Sequence, residues 1–495
     1  MTSRAVTSLS RIQFAFCLIC MWSFIPLAVA EVEERWQPLN RKPRLLVLTD
    51  IEADPDDAQT LIRLLLYANQ IDIKGLIATT SVHQKTRIAP ETIHTIIDAY
   101  DEVQPNLNNH QPSYPDAKTL HSIVKSGVSV YGMQGVGENH DSEGSDWLIR
   151  EIEKADSRPL WISVWGGTNT LAQALYKLKK TKSESLLKQL INRLRVYTIS
   201  DQDDSAAWIR QTFPNLFYIV SPGGYGAATW TGINHVVKGI DNTRISNAWI
   251  AEHIQQGHGP LGAKYPDVAY GMEGDTPSWL NLINNGLHAP EHPNWGGWGG
   301  RYERYIPKLS ETDPTGFTGG VPVVAEMRPI WTNAVDRYVP VPTNQYGRTV
   351  SPGTLEFDGY RETLWRWRDE FQNDFAARMD WCTKRYEAAN HAPEVKLLHD
   401  YSITVKSGES FHLDARGSED PDGDALQFYW FNYAEAGTMK GHTVKIHSAE
   451  NMARVHVVAP DVESPQSVHF ILKLTDRGEP ALTSYARVVV KVEPH

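Results

Sequence analysis

The chain has 495 residues, 22% of them charged and 41% hydrophobic, with 48 Lys+Arg against 59 Asp+Glu and a formal net charge of −11. At about 100–200 residues per domain that length implies two or three domains, and the balance excludes a disordered chain. No basic block stands out, which excludes a nucleic acid polymer as partner.

Arg4 and Arg11 precede the apolar run from Ile12 to Leu27, which ends in Ala28-Val29-Ala30. A basic start, a short apolar middle and an Ala-x-Ala ending describe a secretory signal peptide over residues 1–30. The expectation is a secreted or periplasmic protein. No later apolar stretch approaches about 20 residues, so no membrane anchor is expected. Cys17 and Cys20 leave with the signal, and Cys382 remains alone, unable to form an internal disulfide. Stability must then come from core size, and Cys382 reads as a small buried apolar residue.

From residue 31 the elements alternate. Arg44–Thr49 reads as a buried strand ending on Asp50, Asp57–Ala68 as a helix, Ile71–Ala78 as a strand and Ala89–Tyr100 as a helix. Further on, the pattern predicts helices over Gly144–Lys154, Thr168–Lys179 and Ser205–Gln211. Strands are predicted over Pro159–Trp165, Leu194–Ser200 and Leu216–Ser221. Ser246–Gln255 and Pro277–Asn284 look helical, and Glu291–Tyr302 is a Gly- and Trp-rich loop. Strand and helix in alternation is the rhythm of a mostly parallel sheet with flanking helices. Thr354–Ala389, long and aromatic, is expected to form one helix closing this α/β domain, which spans 31–390. From 391 to 495 short alternating segments replace that pattern: Tyr401–Val405, Ser410–Asp414, Leu426–Phe431, Val455–Val458, Val468–Leu474 and Ala486–Val492. They predict an all-β sandwich of the immunoglobulin kind. The turn Asp420-Pro421-Asp422-Gly423-Asp424 reads as a structural turn in that sandwich.

The segment Asp50-Ile51-Glu52-Ala53-Asp54-Pro55-Asp56-Asp57-Ala58 places five acids directly after one buried strand. In open α/β sheets, ligands bind beyond the carboxyl ends of the strands. Carboxylates this close repel unless a cation or protons compensate. Oxygen-only ligands call for a hard cation, Ca²⁺ more readily than Mg²⁺ on a flexible carboxylate loop. Helix capping accounts for one or two of the acids, not five.

This segment resembles the opening of the nucleoside hydrolases, in which a strand leads into Asp-x-Asp-Pro-Gly-x-Asp-Asp-Ala. The chain is more closely similar to a secreted bacterial branch, nucleoside-hydrolase-like proteins often labelled cellulose-binding, which carry a C-terminal cadherin-like domain. Segments 77–84 (IATTSVHQ), 165–169 (WGGTN), 198–207 (TISDQDDSAA), 273–279 (EGDTPSW) and 291–302 (EHPNWGGWGGRY) fit that branch. The resemblance implies a Ca²⁺ site formed by Asp50, Glu52, Asp57, the Thr168 carbonyl and Asp275. Glu52 falls at the general-base position, and Asp56 at that of a sugar-hydroxyl acceptor. His83, Asn169 and Asp201 stand in matching segments and are candidate substrate-binding residues. Trp295 and Trp298, in the glycine-rich loop, are candidates to stack on a sugar. The implied chemistry is water attack on the anomeric carbon of an N-glycosyl or other glycosyl bond, passing through an oxocarbenium-like sugar.

Three departures stand out. Glu replaces Asp at position 52, Ala53-Asp54 replaces the Pro-Gly turn, and His83 replaces an amide. A shift near 1 Å in such a site costs about 100-fold. The alternative is therefore a carbohydrate-binding protein that keeps the scaffold without the chemistry. The expected partner is a small sugar-containing substrate or a glycan. The sequence leaves the oligomeric state open.

Overall fold

The computed structural model describes residues 35–221, 229–312, 320–340, 355–447 and 450–495. The basic-apolar segment of residues 1–30 lies outside them. Trp36–His495 forms one compact unit. Among the described residues no helix is long and apolar enough to cross a membrane.

An eight-stranded sheet organises the larger part. Its strands are β1 (Arg44–Thr49), β2 (Asp72–Ala78), β3 (Val124–Ser126), β4 (Leu160–Val164), β5 (Leu194–Thr198), β6 (Phe217–Val220), β7 (Tyr302–Tyr305) and β8 (Ile330–Asn333), in the order β3-β2-β1-β4-β5-β6-β8-β7. Every neighbouring pair is parallel except β7 with β8. Central β1 is buried along its whole length, which explains its unbroken apolar run. Its side chains alternate between faces. Leu45 and Val47 enter one core, while Leu46 and Leu48 enter another on the opposite side. Helices α1 (Asp56–Leu65), α2 (Pro90–His110), α3 (Ala117–Ser122), α4 (Glu143–Glu153), α5 (Asn169–Thr181), α6 (Glu184–Asn192) and α7 (Ser205–Thr212) provide the crossovers. The chain leaves β1 toward β2 on one side, and β4 starts the other side. The loops after β1 and β4 therefore diverge at a topological switch point, where a crevice opens.

The sandwich follows the expected segments closely. β11 (Ser402–Lys406), β13 (Gln427–Asn432), β16 (Gln466–Thr475) and β17 (Thr483–Glu493) form one sheet. β12 (Ser410–Asp414), β14 (Ile446–His447) and β15 (Arg454–Val458) form the other. Their inner faces share one apolar core. The sandwich also packs on the α/β part. Tyr433, Ala436, Ile471 and Tyr485 join the same core as Trp298, Trp367 and Phe371.

The segment 354–389 is not a single helix. Thr354 lies outside the described residues, and Phe357–Gly359 is a strand, β10, paired antiparallel with β9 (Asp336–Tyr338). Short Glu362–Trp365 and longer Arg368–Asp380 helices follow, with Tyr386–Ala388 forming a 3₁₀ turn. The partner of β10 is remote in sequence, and Trp367 leaves helical geometry at φ −106°, ψ 4°. Helix α2 also runs past the expected Tyr100 to His110, because Val103, Leu107 and His110 find burial further on.

Candidate functional site

The acidic loop sits at the carboxyl end of β1. Asp50, Asp56 and Asp57 are buried, while Asp54 is half-buried. One carboxylate oxygen from each of Asp54, Asp56 and Asp57 lies within 4.8 Å of the others. Asp275 joins from the far side of the chain, buried, with an Oδ2 that meets no donor among the described residues. Burial drives the Asp275 carboxyl well above the usual carboxylate range, and the charges of Asp57, Asp54 and Asp50 push the same way. Asp57 is raised likewise, by burial and then by Asp50. Asp50 is pushed up to about 7, chiefly by burial, against a hydrogen bond from Ser81. Asp54 is raised by burial, with nearby His83 opposing. Four carboxylates thus face one another in a poorly solvated place, the situation a cation relieves.

Local structure explains the placement. The Gln84 amide donates to the carbonyls of Asp50 and Ile51 at 3.1 Å each, pinning the loop. The Thr49 hydroxyl donates to Asp57. Asp56 and Asp57 occupy the first turn of α1, at its positive end. Residues further along α1 hold the loop that carries Asp275. The Glu273 amide donates to Gln59 Oε1 at 2.9 Å, Thr276 Oγ1 bonds Thr60 Oγ1 at 2.9 Å, and Glu273 pairs with Arg63 in full burial. From the β4 side Gly166 closes the pocket. A Cβ there would stand 2.5 Å from Asp50 Oδ1, so only glycine fits.

The remaining candidates fall in different places. Glu52 has φ 81°, is exposed and pairs with Arg87 and Thr92. These partners hold its carboxyl below the usual range, the Thr92 hydrogen bond first. Asp54, not Glu52, stands in the carboxylate group. Asp56 accepts the Trp230 indole N–H at 2.6 Å. His83 is exposed beside Asp54, which raises its pKa against the stronger lowering by burial.

Thr168 and Asn169 belong to a second knot. The Thr168 hydroxyl donates to Asp203 Oδ1 at 3.0 Å, and its carbonyl accepts from Ala172 N–H at 2.9 Å inside α5. The Asn169 amide spends its donors on Thr80 and on the carbonyls of Val128 and Val130. Asp203, buried and pushed up to about 6 by that burial, ties this knot to Ser205. Asp201 forms a two-pronged pair with Arg210 at 2.8 and 2.7 Å.

Trp298 is fully buried, and its indole donates to Tyr485 of the sandwich at 3.1 Å. Trp295 stacks on His292 and meets Trp36 and His469 edge-on. Both tryptophans pack at the contact between α/β part and sandwich, and the structure does not bring them to the acidic group. Trp230 is the indole that reaches it. Asp54 belongs to the acid-rich loop read from the sequence and Trp230 lies at a loop end, but that the two flank one group depends on which loops meet. Asp203, in an acidic stretch after a strand, carried a readable signal.

The comparisons bear on this arrangement. The family described as cellulose-binding Sde182, nucleoside hydrolase-like domain, matches residues 44–302, and the C-terminal domain of cellulose-binding protein Sde0182 matches 410–492. A solved nucleoside hydrolase-related protein from Saccharophagus degradans, described as associated with carbohydrate metabolism, is 33% identical. The match covers 92% of this chain and 100% of that one, with a TM-score of 0.75. The effector protein XOO4466 and the type III effector XopQ, solved with adenosine diphosphate ribose, each match 60% of this chain. They are 10% and 11% identical, with 88% and 89% of their own chains covered and TM-scores of 0.28, too low to carry an argument. No curated protein matches. With one family description spanning the α/β part, a second spanning the sandwich and a full-length relative at 33% identity, the chain belongs to the Sde182 family, a nucleoside hydrolase-like domain followed by that family's own C-terminal domain.

Proposed function

We propose that this protein is an exported glycosidase that binds the sugar of its substrate at the carboxyl end of β1, with Ca²⁺ as cofactor, and hydrolyses an N-glycosyl or other glycosyl bond. The observation that carries the reading is the acidic group Asp54, Asp56 and Asp57, with one oxygen of each within 4.8 Å of the others, together with buried Asp50 and Asp275, whose charges act on it. The set fits a hard cation: its donors are all oxygens, and the buried Oδ2 of Asp275 has no other partner among the described residues. A bound cation would fix sugar hydroxyls and ease deprotonation of a water at that place. Asp50, pushed up to about 7 by burial among other acids, marks a place where a cation would favour the charged carboxylate. Trp230, donating to Asp56, orients that carboxylate and offers an aromatic surface beside it. The signal-like start supports export.

A second reading has its own observation. Glu52, at the general-base position by register, is engaged by Arg87 and Thr92. That arrangement favours a carbohydrate-binding protein without turnover. One experiment separates the readings: a screen of nucleosides and aryl glycosides with and without Ca²⁺, alongside metal analysis of the purified protein. Release of free sugar that needs Ca²⁺ and is lost in Asp57→Asn is the expected result. Metal and sugar binding without release selects the second reading. No bound ion, with Asp57→Asn and Asp275→Asn unchanged in ion content and thermal stability, overturns the metal-dependent reading, and no sugar binding as well overturns both.

A further inference from the structure

A second site lies away from the acidic loop. A cavity of about 430 Å³ opens between the segment 386–390 and two turns of the sandwich, and Tyr386, Glu387, Asn390, Asp422, Asp424 and Glu479 line it. Its volume falls among ligand pockets, about 300–1,000 Å³.

One wall is a braced aromatic ring. Tyr386 is 37% exposed and stacks on His391 at 3.9 Å and 18°. His391 stacks in turn on Trp381 and His110, and its Nδ1 lies 3.1 Å from Asp422. The platform is set before any ligand arrives. The other wall consists of acceptors. The Asn390 amide donates to Asp476 Oδ2 at 3.1 Å and to the Pro480 carbonyl at 2.8 Å. Those two acceptors fix which way the amide points. Its Oδ1 meets no donor among the described residues, although Asn390 is only 6% exposed. Asp420 lies outside the lining, and its Oδ1 accepts from the amides of Asp422 and Asp424, which fixes the turn that carries those two carboxylates. A buried acceptor without a donor is costly, and a ligand rich in donors relieves it.

An apolar plane beside a set of acceptors matches a pyranose ring, which presents C–H groups on its face and O–H donors on its rim. A bare ion fits less well. Among the described residues, the acidic ligand atoms close enough to share one ion are those of Asp54, Asp56 and Asp57, not these. We propose that this cavity is a binding subsite for a neutral oligosaccharide, separate from the acidic site after β1. The proposal rests on the carbohydrate reading but not on catalysis.

The test is titration calorimetry of cellohexaose and laminarihexaose against the full chain, with Tyr386→Ala, Tyr386→Trp, Glu479→Gln and Asp57→Asn. Binding of at least one hexaose is expected. Tyr386→Ala should weaken it by about tenfold or more, a loss Tyr386→Trp recovers and Asp57→Asn does not cause. Glu479→Gln, which keeps shape and loses charge, should also weaken it. Two results overturn the proposal: neither hexaose binds, or Tyr386→Ala and Glu479→Gln both leave binding unchanged. The sugar-release screen reads the first site alone, so each site fails independently.

Discussion

Asp50 and Glu52 stand two positions apart and have opposite electrostatic surroundings. Asp50 is buried among acids and raised to about 7, whereas Glu52 is lowered by Thr92 and Arg87. A raised carboxylate contributes stability that is fully present below its unfolded pKa and lost as pH rises through the folded value. The ion-free protein should therefore lose thermal stability as pH climbs through about 7, and Ca²⁺ should remove that slope. Melting curves with EDTA and with Ca²⁺ across that range check it, and parallel curves would sink the idea. Glu52→Gln, altering a largely solvated pair, should leave Ca²⁺ affinity within about twofold by calorimetry. Strand burial and acid spacing made Asp50 and Asp57 readable as site residues in the sequence. The turn of Glu52 toward Arg87 was not readable, because a left-handed φ at a non-glycine residue leaves no mark in composition.

Helix α1 is the element on which the site depends. Its first turn supplies Asp56 and Asp57, and the next turns supply Gln59, Thr60 and Arg63 to the loop carrying Asp275. Arg63 also lies over the rings of Phe371 and Phe375, tying in the helix Arg368–Asp380. Arg63→Met would leave Glu273 buried without its cation. The expected loss is about 3–5 kcal/mol in urea unfolding, together with weaker Ca²⁺ binding as Asp275 loses its anchor. Normal stability with normal Ca²⁺ affinity would show that the clamp is dispensable. The parallel strands and main helices could be read from periodicity alone. The segment 354–389 could not, since its aromatic residues serve a remote strand pair and a sandwich contact as much as a helix.

For the whole molecule, aromatic side chains gather at the contact between α/β part and sandwich. Trp298 meets Tyr485, Tyr433 donates to Asp336 at 2.6 Å, and the Arg487 guanidinium donates to the carbonyls of Leu287 and Gly296 at 2.8 and 2.9 Å. Buried apolar area joined to satisfied polar groups should couple the two parts in unfolding. Trp298→Ala is expected to cost about 3–5 kcal/mol and to split one denaturation transition into two, seen by circular dichroism and tryptophan fluorescence. A single transition with unchanged midpoint would refute that coupling.

The sequence by itself determined the alternation of strand and helix, the change to short strands near residue 391 and the acid-rich loop after β1. Those features depend on neighbours in the chain, through side-chain period and local charge. Only the tertiary structure decided which acids share a site, that Trp298 joins two parts of the fold, and that Tyr386 and Asn390 share one cavity with Asp422 and Glu479. Each of those depends on residues far apart in sequence meeting through the sheet's switch point or the sandwich's docking, and local pattern carries no information about such meetings.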